Sequence, residues 1–162
     1  MSDEHEHVNP DDVPIPALLR AARGAYGRAI ASALADNGFD DVPRNGPYVI
    51  GGIVNHRGTA GRLVRELGVS KQAASQLIDT LVLRGYLTRT PNEDDRRRID
   101  IDATERGRAV AAVVREAVLS VEAELAAMIS ADELAGLRTG LFALADIKER
   151  RDMAAHAGER SG

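Results

Sequence analysis

Apolar residues recur every three or four positions from Ala17 onward, which is the spacing of one face of an α-helix. The pair Asn37-Gly38 ends this pattern and is a typical C-terminal stop. The sequence therefore predicts a first long helix over residues 17–37. After a turn-rich connector, Pro47 suits the first turn of a short second helix.

Two further short helical patterns follow, joined by a turn at residues 68–70. Thr59 is placed to cap the first pattern, which stops at Gly68. Ser70 is placed to cap the second, which ends at Gly85. Two short helices joined by such a brief turn are typical of a helix-turn-helix, and the second is then the recognition helix.

A β-hairpin is predicted directly after the recognition helix. Residues 86–89 and 98–102 have strand character, and a polar loop separates them. Thr104 then caps a long amphipathic helix, and a capping box at Ser130 begins a last helix that ends near Arg150. The expected fold class is mainly α with a small β-hairpin wing: a winged helix-turn-helix with long N- and C-terminal helices.

The same patterns predict the domain organisation. Residues 1–16 are acidic and contain three prolines, so they are expected to form a disordered tail. Residues 17–150 are expected to form a single domain with its winged helix-turn-helix at about 47–103. A flexible tail is expected over residues 151–162.

Charge is distributed unevenly along the chain, whose net charge is −4. Residues 1–16 hold five acids and no Lys or Arg, whereas residues 57–98 hold nine basic and five acidic side chains. Because affinity for phosphate depends on a local basic face, the overall acidity does not argue against a nucleic-acid partner.

Several function classes are excluded by what the sequence lacks. Zero cysteines exclude disulfides, thiolate metal sites and thiol redox sensing. His5 and His7 lie in the acidic tail, where a metal would be held only weakly, so neither a metal site nor a cofactor is expected. There is no phosphate-binding glycine loop, nucleophile elbow or pair of histidines on one helix, so an enzyme is not expected. With no membrane-spanning run and no signal sequence, we expect a cytoplasmic protein.

The predicted recognition helix has a polar side that suits DNA bases. Its cap Ser70 is followed by Lys71, Gln72, Ser75, Gln76 and Asp79, which lie off the apolar stripe. Gln72 and Gln76 are one turn apart and can each pair with an adenine edge, while Lys71 suits a phosphate. An ordinary solvated helix face is the alternative interpretation.

The predicted wing loop carries three consecutive arginines, Arg96, Arg97 and Arg98, preceded by Asp95. Guanidinium groups at a hairpin tip can enter the narrow, electronegative minor groove. An adjacent carboxylate can hold one of them in place by an ion pair. A solvated run of charges is the alternative here.

The sequence from Leu67 to Gly107 resembles the multiple-antibiotic-resistance regulator (MarR) family of winged helix-turn-helix proteins. The matching segments are 67–75, 77–81, 84–89, 95–97 and 104–107. One departure is Ala103, where the family usually has leucine. The resemblance implies that the terminal helices, 17–37 and 104–150, form a homodimer that binds a pseudo-palindromic operator in double-stranded DNA.

The resemblance also assigns roles to individual residues. Asp95 would orient the wing, Arg97 would enter the minor groove, and Arg96 would support a phosphate contact. The resemblance implies that the protein is a repressor, since repression is the commoner behaviour in the family. A small aromatic effector would relieve this repression. The residues to inspect for such an effector are Arg23, Tyr26, Tyr48 and His56, although ordinary packing or surface positions explain each of them as well.

The main competing hypothesis is a winged-helix protein-interaction module that does not bind DNA. Such a module would tolerate acidic or bulky apolar residues on the exposed face of the recognition helix. Here that face keeps Lys71, Gln72, Ser75 and Gln76, and the wing keeps its arginines. The sequence therefore favours a sequence-specific DNA-binding transcriptional regulator.

Overall fold

A computed structural model of the protein describes residues 9–55, 68–92 and 99–159. A 3-10 turn precedes five described helices and one hairpin: Pro10–Asp12, α1 Ile15–Asp36, α2 Gly46–Val54, α3 Lys71–Leu83, β1 Leu87–Pro91, β2 Ile99–Ala103, α4 Glu105–Met128 and α5 Ala131–Glu159. The predicted fold class, mainly α with a small hairpin wing, is confirmed. The helix predicted to begin at Thr59 lies outside the described residues.

The chain divides into two compact units, Met1–Val121 and Glu122–Gly162. The first contains α3 and the hairpin, and the second contains α5. The predicted single domain over residues 17–150 remains a prediction. Within the described ranges, no helix combines the length and apolar character that a membrane span requires.

Both ends of α3 and the start of α5 lie where the sequence predicts them. The hydroxyl of Ser70 accepts from the backbone N–H of Ala73 at 3.2 Å, which caps α3. The backbone N–H of Ser130 donates to Glu133 at 2.8 Å, and the Glu133 N–H donates back to Ser130 at 3.3 Å. The Ser130 hydroxyl also donates to the Glu133 carboxylate at 2.6 Å, and this bond, together with the one from the Ser130 N–H, lowers the pKa of the Glu133 carboxyl. At the C-terminal end of α3, Gly85 has a φ of 73°, which glycine adopts without strain.

Two predicted helix limits need correction. α1 begins at Ile15 rather than Ala17, because Pro16 lies in the first turn, where a missing N–H removes no helical hydrogen bond. α5 continues to Glu159 rather than ending near Arg150, so residues 151–159 are helical and not part of a flexible tail. No glycine or proline interrupts residues 141–157, and ion pairs four residues apart support this stretch, Asp146–Arg150 at 3.0 Å and Lys148–Asp152 at 2.6 Å.

One apolar cluster forms the core of the first unit. Its largest fully buried side chains come from α2, α3, the turn after α3, the start of β1, and α4: Val49, Ile50, Leu81, Tyr86, Leu87 and Val110. α2 packs against β2, and α3 packs against β1. Each large apolar side chain buried in this way contributes about 1.5–3 kcal/mol. Since this core fixes the inner side of α3, the opposite side of that helix is left to solvent.

Candidate nucleic-acid interface

α3 has one buried and one exposed side. Ile78 and Leu81 point into the core, with exposures of 8% and 0%. The five residues that the sequence assigns to DNA recognition are all exposed: Ser70, Lys71, Gln72, Ser75 and Gln76. The structure therefore brings the predicted recognition residues together on one solvent-facing side of the helix and its N-terminus.

The hairpin after α3 is antiparallel, with Leu87 opposite Ala103 at its base and Pro91 opposite Ile99 at its far end. Its first strand begins at Leu87, one residue later than predicted, because the backbone N–H of Tyr86 donates to the carbonyl of Leu81 and so belongs to the end of α3. Past the paired strands, the side-chain amide of Asn92 donates to Asp100 at 2.7 Å. The wing residues Asp95, Arg96, Arg97 and Arg98 lie outside the described residues.

A polar network that the sequence did not reveal joins the end of α3 to the connector between α1 and α2. The hydroxyl of Tyr86 donates to the carboxylate of Asp41, and the guanidinium of Arg84 donates to the Asp41 carbonyl. Arg106 of α4 lies 3.0 Å from both the Asp41 carboxylate and the Tyr86 hydroxyl, with its guanidinium 4.5 Å from the centre of the Tyr86 ring. The network connects residues from three parts of the chain.

The start of α4 packs closely against the same segment. The hydroxyl of Thr104 donates to the carbonyl of Gly85 at 2.6 Å and accepts from the N–H of Gly107 at 3.1 Å, which confirms Thr104 as the predicted cap. A Cβ at Gly107 would lie only 2.1 Å from the carbonyl oxygen of Tyr86. Glycine is therefore required at this close approach of two backbones.

The charges of this network shift two pKa values. The hydrogen bond from Tyr86, together with the positive charge of Arg106, lowers the pKa of the Asp41 carboxyl, although desolvation opposes the shift. Desolvation raises the pKa of the Tyr86 phenol, and its hydrogen bond to Asp41 acts in the same direction. The folded state is therefore stabilised when Asp41 is ionised and Tyr86 is protonated.

These shifts predict how stability depends on pH. A carboxyl whose pKa is lowered by folding stabilises the folded state at every pH above its pKa in the unfolded chain, which is 3.8 for Asp41. This stabilisation is lost as the pH falls further, through the lowered pKa of the folded state. We expect the difference in urea midpoint between the wild type and Asp41→Asn to be constant near neutral pH and to shrink below about pH 4. Equilibrium urea unfolding at pH 7, 5 and 3 measures it. A difference that does not change with pH would show that the Asp41 charge contributes nothing.

A second cross-element contact joins α3 to the wing. The guanidinium of Arg89 on β1 donates to the carboxylate of Asp79 on α3 and forms an ion pair with it. The side chains of Arg89 and Asp79 are 43% and 56% exposed. The recognition helix and the first wing strand are thus linked by side chains as well as by the core.

The residues considered for an effector lie on two helices of the first unit. Arg23 is exposed and Tyr26 is half-buried, one turn apart on α1. Tyr48 on α2 is 47% exposed. His56 lies outside the described residues, so an effector site remains a prediction. Within the described ranges, no group of three or more His, Asp or Glu side chains is arranged to hold a metal ion.

Known proteins resemble this chain in sequence and in structure. A sequence model of the MarR family matches residues 41–98. The chain is similar in structure to apo MarR from E. coli, with 25% identity, coverage of 82% of this chain and 96% of that one, and a TM-score of 0.59. No curated protein sequence matches significantly.

The similar structures include complexes with DNA. Streptococcus pneumoniae FabT in complex with DNA is 21% identical, covering 83% of this chain and 95% of that one, with a TM-score of 0.68. The S. aureus MepR–DNA complex is 16% identical, covering 82% and 95%, with a TM-score of 0.66. At these identities the likeness is one of fold.

Proposed function

We propose that the chain is a member of the MarR family of winged-helix transcription regulators and a homodimeric repressor that binds a specific operator; the match of the family model to residues 41–98 and the structural similarity to apo MarR support this. Members of this family are DNA-binding transcription regulators and not enzymes. The observation that carries the proposal is the exposed polar side of α3, with Lys71, Gln72, Ser75 and Gln76. The DNA complexes of FabT and MepR, which share this fold, support the same partner.

The chemistry of that side suits the major groove. Gln72 and Gln76 offer amide groups that pair with adenine N6 and N7, and the spacing of one turn directs them to nearby base pairs. Ser75 lies between them and can either donate or accept. Lys71, in the first turn of α3, is placed for a phosphate, which adds affinity without sequence information.

Arg97 of the wing completes the proposed interface. This assignment rests on the sequence, because residues 93–98 lie outside the described ranges. We expect Arg97→Ala to weaken operator binding about tenfold, because a minor-groove guanidinium contact is lost. Its thermal unfolding midpoint should stay close to that of the wild type. Fluorescence anisotropy with operator DNA measures the effect, and unchanged affinity would remove Arg97 from the interface.

The proposed homodimer rests on apolar side chains that the single chain leaves exposed. On α5, Leu137, Leu141, Leu144 and Ile147 recur at helical spacing with exposures of 40–43%. On α1, Ile15, Leu18 and Leu19 are also exposed. Rows of exposed apolar residues of this kind mark protein interfaces.

A dimer of the 17.3 kDa chain should have a mass of about 35 kDa in solution. Size-exclusion chromatography with light scattering at micromolar concentration measures it. As a control, Leu141→Glu places a charge in the exposed row on α5 and should shift the protein toward the monomer. A wild-type protein that remains at 17 kDa would contradict the proposed dimer.

We further propose that a small aromatic molecule relieves repression. An effector acts by binding more tightly to the state that does not bind DNA, so it must alter the spacing of the two recognition helices. Arg23, Tyr26, Tyr48 and His56 supply the positive charge and aromatic surface for such a molecule. A panel of phenolic carboxylates, added to the protein–operator complex, tests this by release of the DNA.

The experiment that tests the function itself is fluorescence anisotropy with the DNA upstream of the protein's own gene and with a scrambled duplex, each at two salt concentrations. Tight binding to the first duplex alone, weakening steeply as salt rises, is the expected result. If both bind equally weakly, selection from a random duplex library follows. Failure to enrich any sequence there would favour the protein-interaction module.

A further inference from the structure

The proposed DNA-facing side of α3 carries a negative charge. Asp79 lies three residues after Gln76 and four after Ser75, so these side chains share one side of the helix, and all three are exposed. A carboxylate at this place repels the phosphates of bound DNA. DNA binding by this side therefore requires that the charge of Asp79 be compensated.

Arg89 supplies that compensation from a different element. Its guanidinium donates to the Asp79 carboxylate and forms an ion pair with it. Arg89 lies on β1 opposite Ile101, two residues before Pro91, the last residue of the strand. The same contact therefore cancels the charge on α3 and ties this helix to the strand that leads into the wing.

Folding stability gives little reason for this contact. Both partners are about half exposed, at 43% and 56%, and an exposed ion pair contributes little to stability because solvent screens it. DNA binding gives a stronger reason, since it depends on the charge of the α3 surface and on the placement of the wing relative to the recognition helix.

We propose that Arg89 is a positioning residue for DNA binding, which acts through Asp79 by neutralising its charge. The inference rests on the proposed function. Two other roles give different results in the test: Arg89 contacts a phosphate directly, or Asp79 accepts a hydrogen bond from a cytosine amino group.

The test uses the duplex that the full-length wild-type protein enriches most from a random library. Affinity for this duplex and for a scrambled one is measured by fluorescence anisotropy for the wild type and for Arg89→Ala, Arg89→Lys and Asp79→Asn, and for the double variant Arg89→Ala/Asp79→Asn. The charge control is Arg89→Ala/Glu116→Gln, since Glu116 is an exposed acid on α4. Thermal unfolding of each variant checks that it folds.

We expect Arg89→Ala to bind the selected duplex at least about tenfold more weakly, because it exposes the Asp79 charge to the DNA. The double variant with Asp79→Asn should return to within about threefold of the wild type, since the net charge of the pair is again zero. Arg89→Lys should retain most of the affinity. The control with Glu116→Gln should remain as weak as Arg89→Ala.

Three results would overturn the inference alone, and a fourth would overturn the proposed function with it. If the double variant stays as weak as Arg89→Ala, Arg89 contacts the DNA itself. If Asp79→Asn changes the preferred base at one position in a repeated selection, Asp79 reads that base. If the wild type enriches a sequence and Arg89→Ala binds it as tightly as the wild type does, the inference alone fails. If the wild type enriches no sequence, the proposed function fails and the inference fails with it.

Discussion

Replacement of Gly107 by alanine should prevent stable folding of the first unit. The new Cβ would lie 2.1 Å from the carbonyl oxygen of Tyr86, which is a backbone atom and cannot rotate away. That carbonyl also accepts the backbone N–H of Thr104 at 3.1 Å, so relief of the clash would break this hydrogen bond. We expect a loss of more than about 3 kcal/mol, beyond the usual cost of overpacking. Urea unfolding followed by circular dichroism measures it.

Gly27→Ala is the matched control for this substitution. Gly27 also lies inside a helix, in α1, but a Cβ there would meet nothing within 4 Å. Alanine is the better helix former, so this variant should be more stable by up to about 1 kcal/mol. If Gly107→Ala were as stable as Gly27→Ala, α4 could not approach the Tyr86 backbone as closely as described.

The double substitution Gln72→Ala/Gln76→Ala should remove most of the sequence specificity. Each bidentate amide–adenine pair discriminates by about 1–3 kcal/mol, so two of them correspond to at least about 30-fold in affinity for the selected duplex. Both side chains are exposed and outside the core, so the unfolding midpoint should hardly change. Anisotropy with the selected and scrambled duplexes measures the effect.

Lys71→Ala separates phosphate contacts from base contacts on the same helix. It should weaken binding to both duplexes by a similar factor and reduce the salt dependence by about one phosphate contact. Gln72→Ala/Gln76→Ala should instead lower the affinity for the selected duplex alone. Equal loss on both duplexes in the glutamine variant would mean that these residues do not read bases.

The exposed Phe142 and Met153 differ from the row of leucines on α5. They are 79% and 60% exposed, whereas Leu137 and Leu141 are near 40%. On a helical projection with 100° per residue they fall on another side from Leu137 and Leu141. The light-scattering test should therefore respond to Leu141→Glu but not to Phe142→Glu.

The sequence determined the capped N-termini of three helices and the two sides of the recognition helix. Ser70, Thr104 and Ser130 cap helices through bonds that span three residues, so the signal lies within one short window. The exposure of Gln72 and Gln76 follows from helical periodicity alone. The extension of α5 to Glu159 was missed because a charged surface helix without an apolar stripe resembles a tail in sequence.

Only the tertiary structure showed which distant residues meet. Asp41 and Arg106 are 65 positions apart, and Asp79 and Arg89 are 10 apart on two different elements. No local pattern specifies these contacts, because they depend on how α3, α4 and the hairpin pack around the core. The same holds for Gly107, where only glycine fits because the backbone of Tyr86 lies too close for a Cβ. Short-range hydrogen bonds and periodicity thus determine the elements, whereas packing determines the contacts between them.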